Sequence, residues 1–427
     1  MIAEQVSKHD LNMFFLNGVP YIYSNGYYKK DTVGILKEHI KGYMYQEIIT
    51  ARRLKDVYEL MQQDAVLHKE NDEINQYPAT WINFRNGMYD PVNKVMRPHD
   101  PKYLSINQVP HDFDEKAEYA GTVAEQFFNN LIPDLADRRM YYAYTGYCMT
   151  RDTSFQKFLV IVGAPGTGKS TGINMTIDAV GWENVVTVTL QGLGERFASA
   201  DLLGKLLNAC ADLPKKAMEQ VDAIKRITGE DPVEGEYKHG ARFKFRSYAK
   251  LLFSANQMPN TYDEKTEAFF RRLLMIDIRK KGPHIENLKE GLAYSMPGFI
   301  KTCVDALSDV YAAGKGLDSP NSKDLVLEYY KATDSVKAFL CDCTERAEGQ
   351  RIKKSDLYDQ YTRYCMAEGR QTLGRNSFYR DVISKGFREG RYCGCDVFYD
   401  LQFESSLSGE FFPVEYHQEE IPFFKEN

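Results

Sequence analysis

The stretch Gly163-Ala164-Pro165-Gly166-Thr167-Gly168-Lys169-Ser170 restricts what this chain can fold into more than any other part of it. It fits the pattern G-x-x-x-x-G-K-[ST] in full. The apolar run "KFLVIVG" before it reads as a short buried strand, and Ile173, Ile177 and Val180 after it mark one face of a helix ending at Gly181. Strand, glycine-rich turn and helix in that order aim backbone N–H groups and the positive end of a helix dipole at an anion. The expected cradle runs from Gly163 to Thr171: Lys169 would reach the outer phosphates of ATP, and the Ser170 hydroxyl would ligate Mg²⁺.

Around this motif the apolar runs "VVTVTL", "KLLNACAD", "AKLLFSAN" and "LLMIDI" recur with helical patterns or loops between several of them, which predicts a largely parallel α/β sheet. At 427 residues the chain has room for two to four domains. Residues 1–117 read as an N-terminal α+β domain, with hairpin turns at Asn17-Gly18 and Asn25-Gly26, helices after Asp31 and Thr50, and a strand pair bent at Asp90-Pro91. Residues 118–150 look helical, as a collar. The core occupies 151–282, a helical subdomain and linker 283–333, a small separate domain 334–403, and a tail 404–427. No apolar run is long enough to span a bilayer and no leader pattern opens the chain, so a cytoplasmic protein of a bacterial cell, or of an element hosted by one, is expected. With a net charge of −6, any surface for nucleic acid must be local.

Nucleotide hydrolysis needs more than a cradle. Asp212, at the end of "KLLNACAD", is placed to hold Mg²⁺ or polarise water; its other reading is a helix cap before Pro214. Asn256, after "AKLLFSAN", can orient the attacking water, although Asn-Gln-Met-Pro is also a fair turn. Arg271 and Arg272 stand directly before "LLMIDI". Paired arginines there are ordinary surface charge, or one of them reaches a neighbouring subunit's site and stabilises transition-state charge; the spacing prefers Arg272.

Taken in order, these residues resemble the superfamily 3 helicases, and most closely the helicase part of phage and plasmid primase-helicases. The resemblance rests on "GAPGTGKST" (163–171), "ADLP" (211–214), "IKRITGEDPVEGEYKHGARFKF" (224–245), "FSANQMP" (253–259) and "FFRRLLMIDI" (269–278). Upstream "INFRNGMYDP" (82–91) and downstream "LYDQYTRYC" (357–365) and "NSFYRDVISKGF" (376–387) extend it over most of residues 80–400. It implies an α/β fold: an AAA+-like P-loop ATPase core with a parallel central sheet, an α+β N-terminal domain and a small C-terminal winged-helix domain. It also implies a homo-hexameric ring around one DNA strand, ATP-driven translocation and usually 3′→5′ unwinding. A hairpin between the carboxylate strand and the sensor strand would project into the pore, with Lys238 and His239 at its tip on DNA. By the same mapping Lys157 matches a basic residue that contacts nucleotide across the subunit interface. Two departures stand out. Ala211 replaces the family's common extra acid, leaving the general base unassigned, and the first ~75 residues are too few for the family's polymerising domain, so priming is expected from another protein.

In the small domain a helix carries Ser355 as its cap, and a second helix presents Phe378, Val382 and Ile383 on one side. Arg375, Asn376, Arg380 and Lys385 remain available to duplex DNA or simply to solvent. Cys341, Cys343, Cys365, Cys393 and Cys395 crowd the last 90 residues, but C-x-C spacing suits small packing residues better than a zinc site. The tail is acidic from Glu404 to Glu426. The function expected is a replicative DNA helicase of a phage, plasmid or other mobile element, with host replication proteins as further partners. The alternative is an origin-binding initiator ATPase that melts DNA and loads a host helicase.

Overall fold

Asn-Gly pairs favour turns with left-handed backbone, and both pairs near the start fold that way, Asn17 at φ +50° and Asn25 at φ +52°. They join β1 (Met13–Leu16), β2 (Val19–Ser24) and β3 (Tyr27–Lys30) into an antiparallel meander. The computed structural model describes residues 12–46, 49–189, 192–194, 196–210, 221–229, 231–236, 242–258, 267–314 and 316–404. They belong to two compact units, residues 1–326 and 327–427.

In the first unit, α1 (Ile35–Gly42) and α2 (Ala51–Gln63) follow the meander, and β4 (His68–Lys69) pairs parallel to β1, giving the order β3-β2-β1-β4. Thr50 caps α2 as its position predicts, accepting from Arg53 N. A second sheet runs β5 (Ile82–Phe84), β6 (Gly87–Asp90), β7 (Val95–Arg97). The Asp90 carboxylate holds the bend after it by accepting from Val92 N and Asn93 N.

The helical stretch that comes next is α3 (Val123–Leu131) and α4 (Leu135–Cys148). Every residue of α4 from Met140 to Cys148 is buried. Its tyrosines are satisfied inside the core: Tyr141 Oη donates to Gly172 O at 2.7 Å and Tyr144 Oη to Leu251 O at 2.7 Å.

The apolar runs then form one parallel sheet. It comprises β8 (Phe158–Gly163), β9 (Val185–Val186), β10 (Leu207–Cys210), β13 (Lys250–Ala255) and β14 (Leu273–Ile278), in the order β14-β8-β13-β10-β9. All six residues of β13 are buried, as a strand covered on both faces requires. Helix α5 (Lys169–Val180) follows β8 directly. Between β10 and β13 lie α6 (Val221–Thr228) and an antiparallel hairpin, β11 (Pro232–Glu236) with β12 (Arg242–Arg246). A short α7 (Glu267–Phe270) precedes β14; α8 (Leu288–Tyr294) and α9 (Met296–Ala313) come after it. A single apolar core runs from Ile82 to Leu317, so it does not stop at residues 117, 150 or 282, where the sequence suggests divisions.

The division between the units falls within α10 (Pro320–Thr333). The second unit contains α11 (Ser335–Cys343), β15 (Thr344–Lys353), α12 (Lys354–Ala367), α13 (Arg375–Ser384), β16 (Glu389–Tyr392) and β17 (Cys395–Phe403). Its antiparallel sheet is ordered β15-β17-β16. Phe378 of α13 stacks on Tyr361 of α12 with ring centres 4.4 Å apart, at the middle of a separate core. Ser355 does not cap α12: the helix begins one residue earlier, and the Ser355 hydroxyl donates to Asp356 instead.

Candidate active site

The loop between β8 and α5 owes its shape to glycines at both ends. At Gly163 an added Cβ would run into the Ile278 carbonyl oxygen of the adjacent strand. Gly168, immediately before α5, takes φ +102°, a backbone that side chains disfavour. Lys169 is the first residue of α5 and only 6% exposed. Its ammonium folds back over the loop, donating to Gly163 O at 2.6 Å, Ala164 O at 2.9 Å and Asn256 Oδ1 at 3.3 Å. The Thr167 hydroxyl closes the turn by donating to Ala164 O at 2.9 Å, while Ser170 is exposed.

Asn256 reaches Lys169 because of the sheet. It directly follows β13, and β13 pairs with β8 in parallel, Ala255 opposite Val162. Loop and amide therefore lie together at the carboxyl ends of neighbouring strands, where open α/β sheets place their ligand crevices.

Beside the loop opens a cavity of 390 Å³ that the sequence did not signal. Phe127 and Leu131 of α3 form one wall, Gly166 and Gly168 another, and His284 and Ile285 a third. In the sequence His284 and Ile285 belong to the helical subdomain and linker and α3 to the helical collar, with nothing to bring the two together. This mostly apolar recess lies directly beside the β8–α5 loop.

The two arginines before β14 differ in environment. Arg271 is exposed, its Nη2 3.5 Å from Gln156 Oε1. Arg272, which the spacing prefers as the residue that crosses to a neighbour, is 8% exposed, and its Nη1 donates to Ala268 O at 2.6 Å. Its Nε is buried with no hydrogen-bond partner among the described residues. Burial first, and the Arg271 charge second, lower the Arg272 pKa from its ordinary value. Lys157 is likewise turned into its own chain, donating to Arg271 O and to the Asp318 carboxylate, both at 2.7 Å.

Strands β11 and β12 stand where the hairpin is expected, between the strand before Asp212 and the strand before Asn256. Lys238 and His239 themselves lie outside the described residues, as do Ala211 and Asp212. Among the described residues no group of three or more His, Cys, Asp or Glu side chains could hold a metal ion, so Ser170 is the part of the expected Mg²⁺ set that can be placed.

In the second unit Arg375, Asn376 and Arg380 are exposed on α13, opposite buried Phe378 and Val382. Lys385 is not available with them. Its side chain is 7% exposed and its ammonium lies 2.7 Å from Asp334 and 2.8 Å from Asp381, which corrects its assignment to a DNA contact. Asp334 is also the cap of α11, so the pair ties the end of α13 to the start of α11. Cys343 and Cys365 pack in the core of this unit, whereas Cys341 and Cys393 are exposed.

Comparison with known proteins matches residues 15–154 to a family described as D5 N terminal like, and residues 161–272 to a family of unknown function, DUF5906. Among solved structures, an apo A form of the NrS-1 C-terminal region superposes with TM-score 0.51 at 10% identity, covering 93% of this chain and 98% of that one. Another apo structure of that region, residues 305–718, gives 0.51 at 11% identity, covering 94% and 98%. These likenesses establish a shared fold. A JCV helicase with a bound small molecule matches at TM-score 0.30 and 12% identity over 51% of this chain and 64% of that one, too slight a likeness to argue from. No helix among the described residues is long and apolar enough to cross a membrane.

Proposed function

We propose that this chain, a member of the phage and plasmid primase-helicase family of superfamily 3, hydrolyses ATP to drive a hexameric ring along DNA and separate its strands in the bacterial cytoplasm. The observation that carries the reading is the Lys169 ammonium, buried over the β8–α5 loop and within reach of Asn256. Carbonyl oxygens hold that ammonium only as neutral acceptors, and phosphate oxygens can take their place with full charge. The loop N–H groups and the start of α5 would receive the phosphates, the 390 Å³ recess the base and sugar, and Ser170 with Asp212 the Mg²⁺. Bound ATP supplies the phosphoanhydride whose cleavage drives movement.

Each protein group then has one task. Lys169 balances charge on the phosphates, and Asn256 orients the attacking water from the adjacent strand. Arg271 serves as the guanidinium offered to a neighbouring subunit, since its side chain reaches solvent and that of Arg272 is packed inside. Hairpin β11–β12 carries Lys238 and His239 to the strand in the pore. The helix order of the second unit, with α13 followed by the β16–β17 hairpin, suits a winged helix that docks on duplex DNA through Arg375, Asn376 and Arg380.

A DNA-stimulated ATPase assay beside strand displacement on a forked duplex tests the reading. Both activities are expected from the purified chain, and ATP hydrolysis without displacement would overturn the motor. Lys238→Ala with His239→Ala should stop displacement while basal hydrolysis continues; unimpaired displacement would remove the hairpin from the mechanism.

A further inference from the structure

Two cavities bordered by charged side chains flank the turn at Leu203 and Gly204, apart from the β8–α5 loop and without a role in the reading above. The first, of 460 Å³, lies where edge strand β3 meets the core and is lined by Lys29, Lys30, Lys205, Tyr21 and Tyr27. The second, of 620 Å³, is lined by Arg151, Lys244, Arg246 and Tyr248 at the foot of hairpin β11–β12. Leu203 and Gly204 line both, so the cavities are neighbours across one turn.

The charges in the first cavity are held against their mutual repulsion. Lys205 is tied down by donating to Glu183 O at 2.6 Å, and Lys29 by its ion pair with Glu183 at 2.7 Å. Burial, and then the nearby Lys30 charge, lower the Lys205 pKa from its ordinary value. Like charges fixed together in a concave site are relieved by an anion. Along β12, Arg242, Lys244 and Arg246 stand at alternate positions, all exposed, and the last two line the second cavity. Glu236 and Glu234 lie opposite the first two, at 3.2 and 3.8 Å, whereas Arg246 stands opposite Pro232. Acidic side chains also border both cavities, Asp201 in one and Glu70 and Asp72 in the other, which favours a ligand that brings separated charges over a compact polyanion.

We propose that this seam binds the sugar-phosphate backbone of single-stranded DNA, with successive phosphates at Lys30 and Lys205 and at Arg246, beside the tyrosines that line the two cavities. Spaced cations interleaved with aromatic rings are how sequence-independent single-strand grooves are built. The chain's net charge of −6 makes such a local cluster the more informative, since no global field gathers DNA to this protein. The N-terminal sheet thereby becomes a second hold on the strand, joined to the foot of the hairpin. The inference rests on the reading that the chain works on DNA.

The test is fluorescence anisotropy of a labelled oligothymidylate on the full chain at several salt concentrations, with a fluorescent ATP analogue measured in parallel. Lys30 and Arg246 are both exposed, so Lys30→Glu with Arg246→Glu should leave the fold intact, which a thermal melt checks. Removing two phosphate contacts should flatten the salt slope by about 1.4 and weaken binding about 25-fold at ~0.1 M salt, with ATP affinity unchanged. Lys30→Arg with Arg246→Lys should bind almost normally, and Lys116→Glu, an exposed lysine away from the seam, should change little. If the parent chain binds oligothymidylate and the double reversal binds it equally, the seam is not a strand site. Loss of ATP-analogue affinity in step with oligonucleotide affinity would assign the seam to free nucleotide and overturn the proposal. If the parent chain binds no oligonucleotide, the helicase reading fails first, and this inference with it.

Discussion

The two ends of the central sheet each bury a lysine, and the two lysines are held in opposite ways. At the carboxyl end Lys169 is 6% exposed, folded over its own loop beside an open cavity. At the amino end Lys250 begins β13, is 2% exposed, and donates to Thr150 O at 2.5 Å and Tyr248 O at 3.2 Å. Its ammonium sits 4.6 Å from the centre of the Tyr147 ring. Burial is the same; access is not. The partners of Lys169 belong to a glycine-rich loop with room for a ligand to replace them. Those of Lys250 are fixed by α4 and the sheet, inside a continuous core. Burial of a charge therefore marks a functional group only where something can enter and take over its hydrogen bonds.

The largest effect expected from this contrast is on turnover. Lys169→Ala should abolish ATP hydrolysis, a fall of at least ~10³-fold, while the melting temperature moves little because the side chain lies at the rim of the core. Retained turnover would take the loop out of the chemistry. Lys250→Ala should do the reverse, costing about 2–5 kcal/mol of stability, as truncating a long buried side chain does, with hydrolysis per folded molecule near normal. If both variants lost activity and neither lost stability, the contrast would be wrong.

A third buried lysine sharpens it. Lys385 has carboxylates for partners, Asp334 at 0% and Asp381 at 18% side-chain exposure. Removing the cation leaves Asp334 buried and unpaired, so Lys385→Ala should destabilise the second unit by about 3–5 kcal/mol in urea unfolding of the full chain. Were Lys385 a DNA contact instead, the same change would weaken duplex binding and spare stability. The paired arginines make a milder version of this comparison. Arg271→Ala should slow hydrolysis with little loss of stability, whereas Arg272→Ala should lower the melting temperature. Activity recovered on mixing Arg271→Ala with Lys169→Ala subunits would place Arg271 in its neighbour's site; failure at every ratio, with co-assembly verified, would exclude it.

What could be read in advance follows how far along the chain each cause acts. The strand, loop and helix around Lys169 are consecutive residues, and their glycine pattern has one geometric meaning. The Asn-Gly turns and the Thr50 cap are equally local. Asn256 was legible because it ends an apolar run, although only the parallel pairing of β13 with β8 brings it to Lys169. Beyond that the sequence runs out. Lys157, Lys385 and Lys250 look like any other lysine until residues a hundred or more positions away, or at the start of another helix, supply Asp318, Thr150 O or Asp334. The recess built by Phe127 and His284 joins segments separated by the whole sheet, so neither announces the other.

The smallest effect, and the most particular to Lys250, is on the pH dependence of stability. Burial pushes its pKa down to about 7, against an ordinary 10.5. Between those values the unfolded chain binds a proton that the folded chain releases, so this group makes stability rise with pH, by roughly 1 kcal/mol per pH unit just above neutrality. The rise should be sought between about pH 7 and 8.5. At higher pH the buried Cys148 thiol, pushed up to about 12 from 9.0, acts in the opposite direction, because the unfolded thiol ionises first. Lys250→Met keeps much of the side-chain volume and removes the titration, so its unfolding midpoint should lose this slope relative to the parent. The Lys169→Ala profile should keep it, since the slope belongs to the amino end of the sheet. Equal slopes in the parent and Lys250→Met would mean that Lys250 stays charged in the folded chain, with the two carbonyls and the Tyr147 face compensating fully for lost water.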